Sequence, residues 1–333
     1  MPLFDIIRGV NIPEIVCALP EQHFTLTEYA PHLLDEKMAK RMARETGFHT
    51  LRIAPENVTA SDLFAHAAEK LLASRNREDI AALVFVSQTP DYVMPATSHV
   101  LQHRLGLSNS VLCLDINEGC SGFITGLYTA SLLSTKLNAP VLLGCGDTLT
   151  HVSLPSDRAT RCIFGDESAA ILVEPGKHDI PFAFISYGDR RDVIIMENSA
   201  SRRKDNPKNE GRIYLDGIEI LNFALSEVPD MINDYMKKYS ISHEDITLYA
   251  AHQANKLITD NLADTLGIPR EKVPFTSGDI GNESSASIPS VLARVNGKYD
   301  LSRVMCMGFG VGMSAGVCVA DFSETKTSEV YVS

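Results

Sequence analysis

Two stretches of this chain echo each other at long range. Ser168–Val173 reads SAAILV and Ser314–Val319 reads SAGVCV. Each follows a glycine-bearing turn, and each has an apolar run upstream: LLGCGD at Leu142–Asp147 and MCMGFG at Met305–Gly310. A third pair keeps the same order, LVFVSQT before Ser98 and LYAAHQAN before Lys256. Three ordered pairs predict a duplicated unit, with halves near residues 1–175 and 176–333. Two copies of a strand-and-helix unit are expected to pack helix to helix, with a site at their pseudo-twofold junction.

The local patterns fit that expectation. Ala82–Gln88, Val111–Ile116, Val141–Gly144 and Ile171–Val173 are short apolar runs that read as buried strands. Helical periodicity runs through Ala60–Ala73, Ser98–Arg104, Gly122–Leu137, Ile218–Lys238, Lys256–Leu266 and Ile288–Val295. Such alternation predicts an α/β architecture with buried sheets. At 333 residues and 44% hydrophobic content, the chain can fill a large core or two modest ones.

Charge and cysteine usage narrow the function. A formal net charge of −12 argues against wrapping nucleic acid or lying on an anionic membrane, because both would repel it. The run SRRK at Ser201–Lys204 is either a local dock for an acidic partner or a solvated loop. The first residues lack the basic and long apolar regions of a signal peptide, and no run approaches the ~18 apolar residues of a membrane span, so a cytoplasmic location is expected. The seven cysteines are scattered, odd in number and free of CxxC spacing, which excludes a disulfide framework and a thiolate zinc site. Most stand in apolar runs, as small buried hydrophobes do.

Cys120 differs in context. In DINEGCSGFI, Asp115–Ile124, an apolar run ends, a glycine turns the chain, and the cysteine opens a helix. Unpaired N–H groups and the positive end of the helix dipole stabilise a thiolate there and are expected to lower its pKa. Cys120 therefore reads either as an activated nucleophile or as a packed cysteine at a strand–helix turn. His252, in YAAHQAN, has the same strand-end placement and reads either as its partner or as a structural histidine. Asn282, in GDIGNESSASIP, reads as an amide donor or as a helix cap. Imidazole and carboxamide can both donate to a thioester carbonyl as charge builds on it. The glycine-rich GFGVGMSAG at Gly308–Gly316 offers backbone N–H groups for an acyl-enzyme oxyanion, and also suits the tight turn of a packed β-unit.

At these residues the chain resembles the β-ketoacyl-acyl carrier protein synthase III family of the thiolase superfamily. GCSGF, DRATRCIFGDESAA at Asp157–Ala170, AHQAN, GNESSASIP and GFGVG occur in family order and spacing over essentially the whole chain. The resemblance implies a thiolase-like five-layered αβαβα fold with two pseudo-twofold halves, a homodimer, and a Cys-His-Asn triad at Cys120, His252 and Asn282. It implies that Cys120 is acylated from an acyl thioester, and that His252 and Asn282 assist decarboxylation of a malonyl thioester before condensation. The backbone N–H groups of Cys120 and Val311 (or Gly310) are expected to line the acyl oxyanion hole. Met94, Arg158, Lys256 and Phe309 are expected to contact substrate. No cofactor is implied beyond the substrate's own CoA or phosphopantetheine.

The departures suggest specialisation. The chain has no tryptophan. Arg41 stands where the family stacks one on adenine, opposite Arg158. Leu257, beside Lys256, replaces the arginine that docks the carrier protein. These changes favour a carrier-bound donor over free CoA. Glu118, two residues before the nucleophile, is either a structural or interface glutamate or an auxiliary base or orienting group. Met94 stands at the position that limits acyl length, which favours a medium or longer chain. Two other readings stay open: an acyltransferase to an oxygen or nitrogen acceptor, and a non-catalytic partner of a heterodimer.

Overall fold

The computed structural model describes residues 1–333. Ten strands form the main sheet system: β1 (Leu3–Pro20), β2 (Ala82–Val86), β3 (Leu112–Ile116), β4 (Val141–Asp147), β5 (Glu167–Pro175), β6 (His178–Ser186), β7 (Leu248–Ala251), β8 (Val304–Gly310), β9 (Ser314–Ala320) and β10 (Lys326–Val332). Their order is β7-β8-β9-β6-β1-β5-β4-β2-β3, with β10 parallel to the second half of β1. The principal helices are α1 (Ala60–Leu72), α2 (Thr97–Arg104), α3 (Gly122–Leu137), α4 (Gly217–Leu225), α5 (Glu227–Tyr239), α6 (Lys256–Leu266) and α7 (Ser287–Val295).

Period-two alternation explains the layers. Successive strand residues point to opposite faces, so a strand buried on both sides reads as one apolar run. In β2, Val84 and Val86 face a central core, while Leu83 and Phe85 face an outer one. In β8, Val304 and Cys306 face the same central core, while Met305 and Met307 face the opposite outer one. The central core is filled by α3 (Phe123, Ile124, Leu127) and α7 (Ile288, Val291, Leu292). One outer core packs α1 and α2, and the other packs α4, α5 and α6. The stack from outside to outside is helix, sheet, helix, sheet, helix.

The pairing senses repeat. β1·β5 and β5·β4 are antiparallel and β4·β2 is parallel. β6·β9 and β9·β8 are likewise antiparallel and β8·β7 is parallel. Three strands were unforeseen from sequence, β1, β6 and β10; β1 spans 18 residues and pairs with both β5 and β6. Gly9 and Pro13 mask it as a strand. The register shifts between Ile7 and Val10 and between Asn11 and Glu14, irregularities where a residue without a backbone N–H is tolerated.

The stretch Ile218–Lys238, expected as one helix, is two helices broken at Ser226 (φ −120, ψ −72). Pro229 lacks an N–H for the Leu225 carbonyl and its ring crowds that oxygen, so the break falls one turn ahead of it. The seven cysteines are unpaired, and Cys17, Cys145, Cys162, Cys306 and Cys318 are buried. No helix is long and apolar enough to cross a membrane.

Leu127 is fully buried in the central core. Leu127→Ala should destabilise the protein by about 2–5 kcal/mol, with the cavity left between the two sheets, as read from the midpoint of urea unfolding.

Candidate active site

The site begins at three chain corners. After β3, the turn at 117–119 delivers Cys120 just ahead of α3, closed by the Gly122 N–H donating to the Gly119 carbonyl at 2.6 Å. His252 follows β7 directly, and its N–H donates to the Met307 carbonyl on neighbouring β8 at 2.8 Å. Asn282 is fixed by a bridge to Phe164, with its N–H donating to the Ile163 carbonyl at 2.8 Å. Gly281 makes that approach feasible: its φ is +109°, and a Cβ there would stand 2.6 Å from the Gly165 nitrogen.

All three side chains line one cavity of about 220 Å³, together with Ser284, Phe309, Gly310 and Val311. Its remaining wall is mostly apolar and includes Leu149, Ile163, Ile194, Ile213, Ile220 and Ile258. Gly310 presses against Cys120, so that a Cβ there would lie 3.0 Å from its sulfur. That closeness places β8 and the Val311 backbone beside the thiol. The N–H groups of Cys120 and Val311 and the Ser284 hydroxyl are near enough to favour the thiolate form of the sulfur.

The electrostatics overturn one expectation. Cys120 is half-buried, and desolvation of its sulfur, assisted by the nearby Asp147 carboxylate, pushes the thiol up to about 12. The Ser284 hydroxyl and the two N–H groups pull it down without overcoming burial. The helix N-terminus therefore does not give a resting thiolate, because a charge removed from water loses more than a few N–H dipoles restore. His252 is buried and desolvation holds its imidazole down at about 3, so it is neutral across the ordinary pH range.

Hydrogen-bond counting sets the ring's proton. His252 Nδ1 lies 2.7 Å from Ser287 Oγ, and the Ser287 hydroxyl donates to the Ser284 carbonyl at 2.8 Å. With that hydroxyl proton engaged, Nδ1–H donates to Oγ and Nε2 keeps a free lone pair. Phe309 packs edge-on against the imidazole, at 5.6 Å between centroids and 83° between planes. Asn282 Oδ1 accepts the Ser284 N–H at 3.0 Å, and its Nδ2 donates to the Ala254 carbonyl at 3.4 Å, leaving a second amide hydrogen. The amide thus makes the local turn bond of a cap-like residue and still has a donor to offer.

The other expected substrate residues are dispersed. Arg158 and Arg41 line a separate cleft of about 280 Å³ with Leu34, Met38, Met42 and Glu45. Lys256 does not line the central cavity; its ammonium pairs with Asp260 at 2.7 Å, one turn along α6. Met94 is 80% exposed on a loop and lies off the cavity wall of its own chain. Glu118 is also off that wall, and its Oε1 accepts the Ser121 hydroxyl at 2.7 Å.

Sequence reasoning missed Ser284, Ser287 and Asp147. Asp147 is buried and accepts from Gln88 N–H at 2.7 Å, Ser87 Oγ at 3.1 Å and Ser285 Oγ at 3.3 Å. The serines stood inside the quoted GNESSASIP, at the helical spacing of three that returns Ser287 to the Ser284 carbonyl.

The chain is similar to known proteins over nearly its full length. Residues 114–188 match the profile of 3-oxoacyl-[acyl-carrier-protein] synthase III, and residues 236–322 match that of its C-terminal domain. The chain is 32% identical to a β-ketoacyl-[acyl-carrier-protein] synthase III of Gloeobacter violaceus, over 94% of this chain and 98% of that protein. It is 29% identical to a putative 3-oxoacyl-[acyl-carrier-protein] synthase 3 of Campylobacter jejuni, over 97% and 96%. The crystal structure of a 3-oxoacyl-(acyl-carrier protein) synthase from Burkholderia xenovorans superposes with a TM-score of 0.92 at 30% identity, covering 99% of each chain.

A high thiol pKa has a direct readout. Alkylation of Cys120 by iodoacetamide should be slow at pH 7 and still be climbing at about pH 10, beyond the range of an ordinary cysteine. A plateau near pH 8 would contradict the burial argument.

Proposed function

The chain belongs to the β-ketoacyl-acyl carrier protein synthase III family, and we propose that Cys120 accepts an acyl group from a thioester and passes it to a malonyl-type or β-ketoacyl acceptor by decarboxylative Claisen condensation. One observation carries this reading: Cys120, His252 and Asn282 share one cavity wall.

The resting protonation states fit the first half-reaction. Neutral thiol and neutral imidazole give a proton transfer that accompanies attack: sulfur adds to the acyl carbonyl while Nε2 takes the thiol proton. The N–H groups of Cys120 and Val311 receive the developing oxyanion. Collapse breaks the donor's C–S bond, and the leaving thiolate recovers the proton from Nε2.

The second half-reaction needs donors. The acceptor's carboxyl leaves as carbon dioxide, and the bonding pair passes into an enolate whose oxygen is held by Asn282 Nδ2–H and by His252. Between the half-reactions the neutral ring exchanges its proton through water, losing one at Nδ1 and gaining one at Nε2, and Ser287 accommodates the new tautomer because its hydroxyl can turn its own proton toward Nδ1. The enolate carbon then attacks the acyl-enzyme, a C–C bond forms, and Cys120 leaves. This sequence uses side chains and the substrate's own pantetheine arm, with no separate cofactor.

The surroundings suggest the substrate. A second cavity of about 250 Å³ shares Gln88, Leu149, Ile194, Ile213 and Val311 with the first and adds Val152, Ile195 and Met196. Asn117, Ser199 and Gln88 make part of its lining polar, while its aliphatic side chains offer room for a medium or longer acyl chain. The donor we favour is carried on acyl carrier protein, because Arg41 beside Arg158 replaces a stacking aromatic and is paired with Glu45 at 2.8 Å. An exposed edge supports a homodimer: β3 ends the sheet with Leu112 at 50% and Leu114 at 37% exposure, and Met94 lies on a nearby exposed loop. Pairing of two such edges would carry Met94 toward the other copy's acyl cavity. The division at residues 175/176, with the nucleophile in one half and His252 and Asn282 in the other, belongs to the same reading and is supported by the repeated pairing senses.

Intact-mass spectrometry after exposure to acyl-CoA and acyl-carrier thioesters should show one acyl adduct, absent in Cys120→Ala. Asn282→Ala should keep the adduct and lose condensation by about a hundredfold or more, the scale of removing an oxyanion donor. Acyl transfer to an alcohol or amine without carbon dioxide release from malonyl-carrier protein would favour the acyltransferase reading. Absence of any adduct would favour a silent subunit.

A further inference from the structure

Ser121 stands at the N-cap of α3 yet makes no cap bond. Its backbone is already helical (φ −87, ψ −9), so its hydroxyl is not placed to cap the helix and is free for other partners. Its Oγ lies 2.7 Å from Glu118 Oε1 and 2.7 Å from Ser314 Oγ. Ser314 Oγ is itself 3.2 Å from Glu118 Oε1 and donates to the Val311 carbonyl at 2.6 Å. Each hydroxyl has one hydrogen: that of Ser121 is shared between Glu118 Oε1 and Ser314 Oγ and that of Ser314 goes to the Val311 carbonyl, so two serines from opposite sides of the site relay from the carboxylate to Val311. One belongs to the nucleophile turn and the other to the start of β9, and the second holds Val311.

Val311 is the residue whose position matters most in that loop. It sits between Gly310 and Gly312, which bring no side chain to anchor the backbone. It lines the cavity with Cys120, next to Gly310, where a Cβ would lie 3.0 Å from the sulfur, and its N–H favours the thiolate form. Its carbonyl, on the next peptide plane, is held by Ser314. Fixing that plane restricts rotation about the Val311 backbone, and so restricts where its N–H points. The unused cap also leaves the first N–H groups of α3 without a side-chain acceptor, beside the acylating sulfur.

We propose that Glu118 is a positioning residue for the acyl oxyanion hole: through Ser121 and Ser314 it locks the Val311 N–H against Cys120 without touching substrate. The proposal rests on the acyl-enzyme reading above. It distinguishes the two half-reactions, because loading of Cys120 uses the Val311 N–H and decarboxylation uses His252 and Asn282.

The test measures both half-reactions separately. Acetyl-, octanoyl- and dodecanoyl-acyl carrier protein are offered to the full-length enzyme, and loading is timed by quenched intact-mass spectrometry. Carbon dioxide release is timed from malonyl-acyl carrier protein. Glu118→Ala should slow loading by about tenfold or more while decarboxylation stays within about twofold. Glu118→Gln keeps an acceptor oxygen for Ser121 and should restore most of the loading rate. Ser314→Ala reaches the same lock from the other side and should reproduce the selective loss, even if Glu118→Ala folds poorly. Equal loss of both half-reactions in both alanine variants would overturn the proposal, as would unchanged loading. Glu118→Gln as slow as Glu118→Ala would overturn it too, since charge and not positioning would then be at work. If the unaltered enzyme loads none of the three donors, the acyl-enzyme reading itself falls and takes this inference with it.

Discussion

Everything at the site depends on two helices, Gly122–Leu137 and Ser287–Val295, being buried between sheets. Burial on all sides means that each sheet presents one face to these helices and one to an outer helix layer. Strands with both faces covered carry few polar side chains, so chemistry is displaced to where strands end and helices begin. Cys120 stands at one such corner and His252 at another. Ser284, Asn282 and Ser287 cluster at a third, where the chain enters the second buried helix.

The same burial sets the chemistry. Removing water raises the thiol and lowers the imidazole, so the pair rests uncharged. An uncharged pair is compatible with an apolar acyl cavity, where a standing thiolate–imidazolium pair would be costly. Charge is then created only during reaction, where the backbone N–H groups of Cys120 and Val311 favour a charged sulfur. The glycines at 308 and 310 are the price of that closeness: a Cβ at Gly308 would lie 2.9 Å from the Ser121 Cα, and one at Gly310 would meet the nucleophile itself.

Much of this was legible in the residues. The apolar runs at Ala82, Val141 and Val304 became strands because two-sided burial favours uninterrupted hydrophobes, and the GCSGF turn became a strand-to-helix corner because glycines flank it. The first strand was not legible, since Gly9 and Pro13 break its pattern and only pairing with two neighbours holds it extended. Nor was the split at Ser226, although Pro229 announced it. Lys256 looked available in the sequence, but Asp260 one helical turn away neutralises it.

The sequence by itself determined the nucleophile's corner, the duplicated order of strands and the residue types able to load and transfer an acyl group, because these follow from short-range periodicity and side-chain chemistry. Only the tertiary structure decided the sign of the thiol's pKa shift, the contact of Ser287 with the His252 ring and the serine contacts that run from Glu118 to the Val311 carbonyl. Desolvation and hydrogen-bond direction depend on which groups from distant parts of the chain arrive at one point, and no local pattern encodes that arrival.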